Sequence, residues 1–285
     1  MRLGVHMRTA GGLDLTARRA GEIGCEAMQV FASNPNAWNS PRIQPEIAER
    51  FRANILEFGI QPVVIHTPYL LNLATPDPDI RAKSIKALIE SMTRAQMLGV
   101  QFVVTHTGSH KGSGEESGIA LICEAVREVL DAGDWTGTML LLENSAGTGN
   151  SVGSTFEQLR AILDCLPNLE NRLGICVDTA HAWGAGYDLS SPKAVETTLA
   201  DFDQIVGFRH IRLMHMNDTN VELGAHRDRH ANLGTGKIGE PGFTALLHHP
   251  ALQSLAAIIE TPAREDGLHD LDILKSWRES TVAQE

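Results

Sequence analysis

Six apolar runs of this 285-residue chain each end in a histidine or a carboxylate: His66, His106, Glu143, Asp178, His215 and Glu260. His181 follows Asp178 by three residues, and Asp228 and His230 lie a short way past His215. Taken singly, each is an ordinary polar residue, and a carboxylate at a strand end often caps the next helix. Drawn together, four carboxylates and five imidazoles would repel and desolvate one another, and that needs compensation. Divalent cations supply it. Mixed imidazole and carboxylate donors suit zinc, with manganese or iron as alternatives. Nine donors exceed one tetrahedral ion and suit two or three, above all where one carboxylate bridges.

Such convergence requires a scaffold that brings distant strand ends to one place. Eight short β-rich runs supply candidates: Leu3–His6, Ala27–Phe31, Pro62–His66, Phe102–His106, Met139–Glu143, Gly174–Asp178, Ile211–Met216 and Ala256–Glu260. Most are continuously apolar, as parallel strands covered on both faces should be. Between them lie amphipathic stretches such as Asp79–Leu98, Glu115–Ala132 and Thr155–Cys165. In the first, Ile80, Ala87, Leu88 and Met92 fall near one face, with Arg81, Lys83 and Glu90 elsewhere; Gly99 then closes it as a C-cap. Eight strands alternating with helices predict a single (β/α)8 TIM-type barrel over residues 1–285, with its site at the carboxyl ends of the strands. An open doubly wound sheet would usually carry fewer strands and a GxGxxG in its first turn; Gly11-Gly12 follows the first run, but no such fingerprint does.

The net charge of −11 argues against a nucleic-acid partner, since phosphate contacts need positive potential. Bound metal ions can reverse that locally. Met1–Arg8 lacks the apolar core of a signal peptide, and no apolar run is long enough to cross a bilayer. Cys25, Cys123, Cys165 and Cys176 are scattered without a CxxC pair, so each is expected to be a small buried hydrophobe in a reducing compartment. A cytoplasmic protein with no membrane contact is expected.

Motifs running from the start of the chain nearly to its end carry a family resemblance. They open with Gly4-Val-His6, Ala10-Gly-Gly12, His66-Thr-Pro-Tyr-Leu-Leu-Asn-Leu73 and His106-Thr-Gly-Ser-His110. They continue with Leu142-Glu-Asn-Ser-Ala-Gly147, Val177-Asp-Thr-Ala-His-Ala-Trp-Gly-Ala-Gly-Tyr-Asp188 and His215-Met-Asn-Asp218. The last are Asp228-Arg-His230-Ala-Asn-Leu-Gly-Thr-Gly236 and Ile259-Glu-Thr-Pro262. In order, spacing and residue type the chain resembles the endonuclease IV family of apurinic/apyrimidinic endonucleases. The resemblance implies three Zn²⁺ per chain: one on His66, His106 and Glu143; a second on Glu143, Asp178, His215 and Glu260; a third on His181, Asp228 and His230. It implies cleavage of double-stranded DNA on the 5′ side of an abasic sugar, leaving a 3′-hydroxyl and a 5′-deoxyribose phosphate, and removal of 3′-blocking groups by a monomer. Glu143 and Glu260 would help orient the nucleophile. Three divalent ions against four carboxylates leave the site at about +2, so an acidic chain can present a positive pocket to phosphate.

For the DNA grip, the resemblance matches Tyr69 and Leu70 to residues that push into the duplex and hold the nucleotide out of the stack. Core packing accounts equally well for Leu70 and Leu71. The loop Ser33–Trp38 departs from the family pattern, with Asn36 where some relatives carry arginine. Arg227, Arg229 and Lys237 flank the Asp228 loop; each could touch the DNA backbone or remain a solvated surface charge. His6 would line the pocket, His110 would be a loop or supporting residue, and His248-His249 would end a surface helix. The related barrels of metal-dependent sugar isomerases and epimerases are the alternative reading, but they would leave Asp228 and His230 surplus. A decayed, non-catalytic damage binder would have lost ligands, and none is missing.

Overall fold

The computed structural model describes residues 1–38, 41–262 and 269–280. Strand and helix alternate along the chain: β1 (Arg2–Met7), α1 (Leu13–Glu22), β2 (Ala27–Phe31), α2 (Pro45–Phe58), β3 (Val63–His66), α3 (Pro78–Leu98), β4 (Phe102–His106) and α4 (Glu115–Asp131). They continue as β5 (Met139–Glu143), α5 (Phe156–Asp164), β6 (Leu173–Asp178), α6 (Thr179–Ala185), α7 (Pro192–Ile205), β7 (Ile211–His215), α8 (Gly239–His248), β8 (Ala256–Ile259) and α9 (His269–Glu279). All eight strands pair in parallel and in sequence order, and β1 pairs with β8 to close the barrel. The predicted strands are all present, with ends within a residue of those expected.

Two apolar layers hold this arrangement. One fills the barrel with Ala27, Val64, Val104, Leu141, Cys176, Leu213, Ala256 and Ile258. The other lies between strands and helices. The strand period of two links the inner layer to the site, because side chains alternate between the two faces of a sheet. Two residues past Ala27, Val64, Val104, Leu141, Cys176, Leu213 and Ile258 stand Gln29, His66, His106, Glu143, Asp178, His215 and Glu260. In β1 the same relation joins Gly4 and His6. A Cβ on Gly4 would lie 1.9 Å from the Ala27 carbonyl oxygen, so the close approach of β1 to β2 requires glycine there. A register shift between β6 and β7 pairs Cys176 with Leu213 and Asp178 with His215, which brings both polar residues to one level.

Local signals set the helix ends. Asp77 accepts hydrogen bonds from the N–H groups of Asp79 and Ile80, Pro78 opens α3, and Gly99 closes it in the left-handed region at φ 67°. The buried stripe of α3 runs through Ser84, Ile85, Leu88, Met92 and Ala95, with Ala87 also buried. It stops short of the first turn, so Ile80, expected on the buried face, is exposed. Cys165 also departs from expectation: it lies past the last residue of α5 and is exposed, whereas Cys25, Cys123 and Cys176 are buried. At the amino-terminal end of the barrel, Arg278 of α9 bonds Glu26 through both terminal guanidinium nitrogens and also the Met1 carbonyl. Among the described residues no helix is long and apolar enough to cross a membrane.

Candidate metal centre

Glu143, at the end of β5, occupies the middle of the polar ring and is almost wholly buried. Its two oxygens face different partners. Oε2 lies 3.2 Å from Nε2 of both His66 and His106, while Oε1 lies 3.1 Å from His215 Nδ1 and 3.3 Å from His181 Nδ1. Burial opposes ionisation of this carboxyl, but His106, His215 and His181 outweigh it and hold it well below the usual carboxylate range. Glu260 is held low in the same way, its burial outweighed by His215 and His6. Burial likewise opposes the charge on His181, and Asp178, Asp228 and Glu143 raise it well above the ordinary imidazole value.

The strand-end residues, with His181 of α6 and His230 of the loop after β7, gather into three sets that could hold metal ions: His66, His106 and Glu143; Glu143, Asp178, His215 and Glu260; Asp178, His181 and His230. Within each, one donor atom per residue lies within 4.8 Å of every other. The first two groupings are those expected. In the third, Asp178 joins His181 and His230, and Asp228 stands beside them on a half-exposed loop, 3.2 Å from His181 Nε2 and 3.3 Å from His230 Nε2. Asp178 can serve two sets through one oxygen, which lies between His215 Nδ1 at 3.9 Å and His230 Nε2 at 3.7 Å. Oδ1 caps α6 by accepting the His181 N–H at 2.7 Å, while Oδ2 faces His230 and His215. The capping role and the metal-donor role coexist in this carboxylate.

The chemistry of the donors fits divalent ions. Metal-binding imidazoles usually anchor one ring nitrogen so that the other is aimed at the ion. Here His66 Nδ1 meets the Thr67 carbonyl at 2.7 Å, His181 Nδ1 the Asn144 carbonyl at 2.9 Å, and His215 Nε2 the Gln29 Oε1 at 2.9 Å. His230 Nδ1 approaches the Glu260 carbonyl at 3.4 Å, and its buried Nε2 has no hydrogen-bond partner. With Nδ1 turned to a carbonyl, the Nε2 lone pair of a neutral ring faces the Asp228 and Asp178 carboxylates, an arrangement that an intervening cation would satisfy.

Four residues outside the expected donor set support the ring. Gln29 fills the ring position of β2 and is buried. The Asp178 backbone N–H donates to Asn144 Oδ1 at 2.6 Å, and Asn144 Nδ2 donates to the Asp178 carbonyl. Asn217 donates to Asp178 and accepts the Glu260 backbone N–H at 2.7 Å. Asp218 is fully buried and accepts the backbone N–H groups of Thr219, Gly234, Gly236 and Ile238. Its own carbonyl accepts the Ala231 N–H at 2.7 Å, which pins the loop bearing Asp228 and His230.

The ring opens into a cavity of about 400 Å³ whose rim includes Tyr69, Arg229 and Pro262. Tyr69 is 58% exposed; burial of the rest, with Glu260, Glu143 and Asp228 nearby, pushes its hydroxyl up to about 12. Leu70 is half-buried, and Leu71 belongs to the core. Asn36 is exposed, and its backbone N–H donates to Asn34 Oδ1. The Tyr69 N–H donates to the Pro35 carbonyl at 3.1 Å and joins this loop to the one after β3. His6 lies inside the ring, 3.1 Å from Glu260 Oε1. Lys237 is paired with Glu222 at 2.9 Å, Arg227 is exposed, and His110 stays in its own loop, accepting the N–H groups of Gly112 and Gly114.

Residues 17–280 match a family model described as a xylose isomerase-like TIM barrel. The "Probable endonuclease 4" of Chloroflexus aurantiacus is 42% identical over 269 residues, covering 94% of each chain. The crystal structure of endonuclease IV from Thermus thermophilus superposes with a TM-score of 0.88 at 32% identity, covering 98% of this chain and 99% of that one. A D-tagatose 3-epimerase-like protein superposes with a TM-score of 0.74 at 20% identity, which establishes a shared fold alone.

Proposed function

The chain belongs to the endonuclease IV family, and we propose that it is a metal-dependent DNA-repair endonuclease that hydrolyses the phosphodiester 5′ to an abasic site. The products on this reading are a 3′-hydroxyl and a 5′-deoxyribose phosphate, and 3′-blocking groups are removed by the same site. The observation that carries the proposal is the division of Glu143 between two donor sets, Oε2 facing His66 and His106 and Oε1 facing His215. A single carboxylate so placed suits two adjacent cations.

Three zinc ions would be held by His66, His106 and Glu143; by Glu143, Asp178, His215 and Glu260; and by His181, Asp228 and His230, with Asp178 adjoining the last set. Bound there, they supply Lewis acidity toward the phosphate and a lowered pKa for the attacking water. The protein's own part is positional. Glu143 and Glu260 face one space, where they accept hydrogen bonds from the attacking water and orient it toward phosphorus. Arg229, on the cavity rim, offers its guanidinium to a phosphate oxygen. Tyr69 and Leu70 enter the gap left by the missing base, and Asn36 faces the duplex from the neighbouring loop. The epimerase reading has support only from the shared fold, and it gives Asp228 no task.

The test is a duplex oligonucleotide carrying one abasic analogue, with metal counted on the same sample. About three zinc ions per chain and a nick beside the analogue, with intact duplex untouched, are expected. Glu143→Gln should lower nicking on the order of a hundredfold or more, since it removes the only carboxylate of one donor set and one of three from another. Unimpaired nicking by that variant, or one metal per chain in the wild type, would sink the proposal.

A further inference from the structure

Gln29 is a buried amide at the ring level of β2, in a strand whose other residues are apolar. An apolar side chain could fill this place without the cost of burying a polar group, so its bonds must account for it. Gln29 Oε1 lies 2.9 Å from His215 Nε2. Gln29 Nε2 lies 2.5 Å from Glu260 Oε1 and 2.9 Å from His6 Nδ1.

Glu260 and His215 set the orientation of the amide. The Glu260 carboxylate can only accept, so the amide nitrogen faces it; the amide oxygen then faces His215 and can only accept in turn. The proton on His215 Nε2 is thereby fixed. The remaining ring nitrogen, Nδ1, lies 3.1 Å from both Glu143 Oε1 and Glu260 Oε2 and 3.9 Å from Asp178 Oδ2. Those carboxylates are the rest of its candidate metal set.

We propose that Gln29 is a positioning residue: its amide locks His215 in the Nε2–H tautomer, with the Nδ1 lone pair turned to the metal, and braces Glu260 of the same set. The inference rests on the reading that Glu143, Asp178, His215 and Glu260 hold an ion. It requires an amide, because one arm must accept while the other donates. Methionine has similar length and neither capacity.

Zinc retention under chelator competition tests this on wild type and Gln29→Met, with the melting temperature of each metal-free protein as the control for folding. Gln29→Met should surrender one zinc about 10–100-fold more readily, while the others stay bound and the metal-free variant still melts cooperatively. Long-range ¹⁵N–¹H correlation on zinc-loaded wild type should place the His215 proton on Nε2, and this result stands even where the variant fails to fold. Equal zinc retention by a folded variant, or a proton on Nδ1, overturns the inference and leaves the metal reading intact. A wild type that takes up no zinc overturns both.

Discussion

Asn217 Nδ2 donates to Asp178 Oδ2 at 2.6 Å, and neither residue reaches solvent. The same carboxamide accepts the Glu260 backbone N–H, so it spans two strand ends and fixes the distance between two carboxylates. Asn217→Ala should therefore leave a buried N–H and a buried carboxylate oxygen short of partners. We expect a loss of about 2–3 kcal/mol in urea unfolding of the metal-free protein, and zinc affinity should fall roughly tenfold or more. A variant as stable as wild type would show that solvent reaches these groups.

Asp218 holds its loop through four N–H groups, two on each oxygen. In Asp218→Asn, one acceptor becomes a donor that faces two donors. The loop carrying Asp228, Arg229 and His230 should loosen, so the zinc count should drop from about three toward two while the other donor sets remain filled. Hydrogen exchange over residues 228–238 should rise in parallel. An unchanged count with unchanged exchange would contradict the anchoring role.

Tyr69 is largely exposed, so Tyr69→Ala should change stability by no more than about 0.5 kcal/mol. Its aromatic face should matter only where unstacked DNA is present. We expect a rise in KM for an abasic duplex of roughly tenfold or more, in keeping with about 1–3 kcal/mol for stacking on one base, and a smaller effect on kcat. Steady-state nicking at several substrate concentrations separates the two.

Glu26 ties β1 to α9 through the Leu3 N–H and both terminal guanidinium nitrogens of Arg278. Burial opposes its ionisation, yet Arg278 and the Leu3 N–H hold its carboxyl below the ordinary value. A carboxyl depressed in the native state contributes stability above its unfolded pKa of about 4.3 and loses it as the pH falls through the native value. Glu26→Gln should thus be less stable than wild type at neutral pH, by roughly 1 kcal/mol after solvent screening. The two proteins should converge below about pH 4. Parallel pH–stability curves would show that the ion pair contributes nothing.

The polar ring was legible because a histidine or carboxylate that closes an apolar run stands out against it. Alternation then sends that residue inward with the apolar one two places before it, as Leu141 and Glu143 illustrate. Gln29 obeys the same phase but is hidden, since an uncharged amide inside a run reads as packing. Asn217 and Asp218 are masked differently: they adjoin a ring strand, and their value lies in backbone groups brought close only by folding. Asp178's second allegiance could not be read either, because it depends on where folding brings His215 and His230 around a single oxygen, Oδ2. The exposure of Ile80 and Cys165 shows the limit of periodicity at element ends, where a helix outruns the surface that would cover it.

The backbone bond from Tyr69 to Pro35 joins the loops after β3 and β2 into one edge beside the cavity. Segments tied in this way at Pro35 and Tyr69 surrender part of their independent conformational freedom when the chain folds. Whatever docks at that tie meets backbone already ordered at Pro35 and Tyr69, which lessens the entropy lost on association. On-rates at this rim should then follow encounter and charge steering more than loop rearrangement, and lengthening either loop by flexible residues should slow capture before it alters the chemistry.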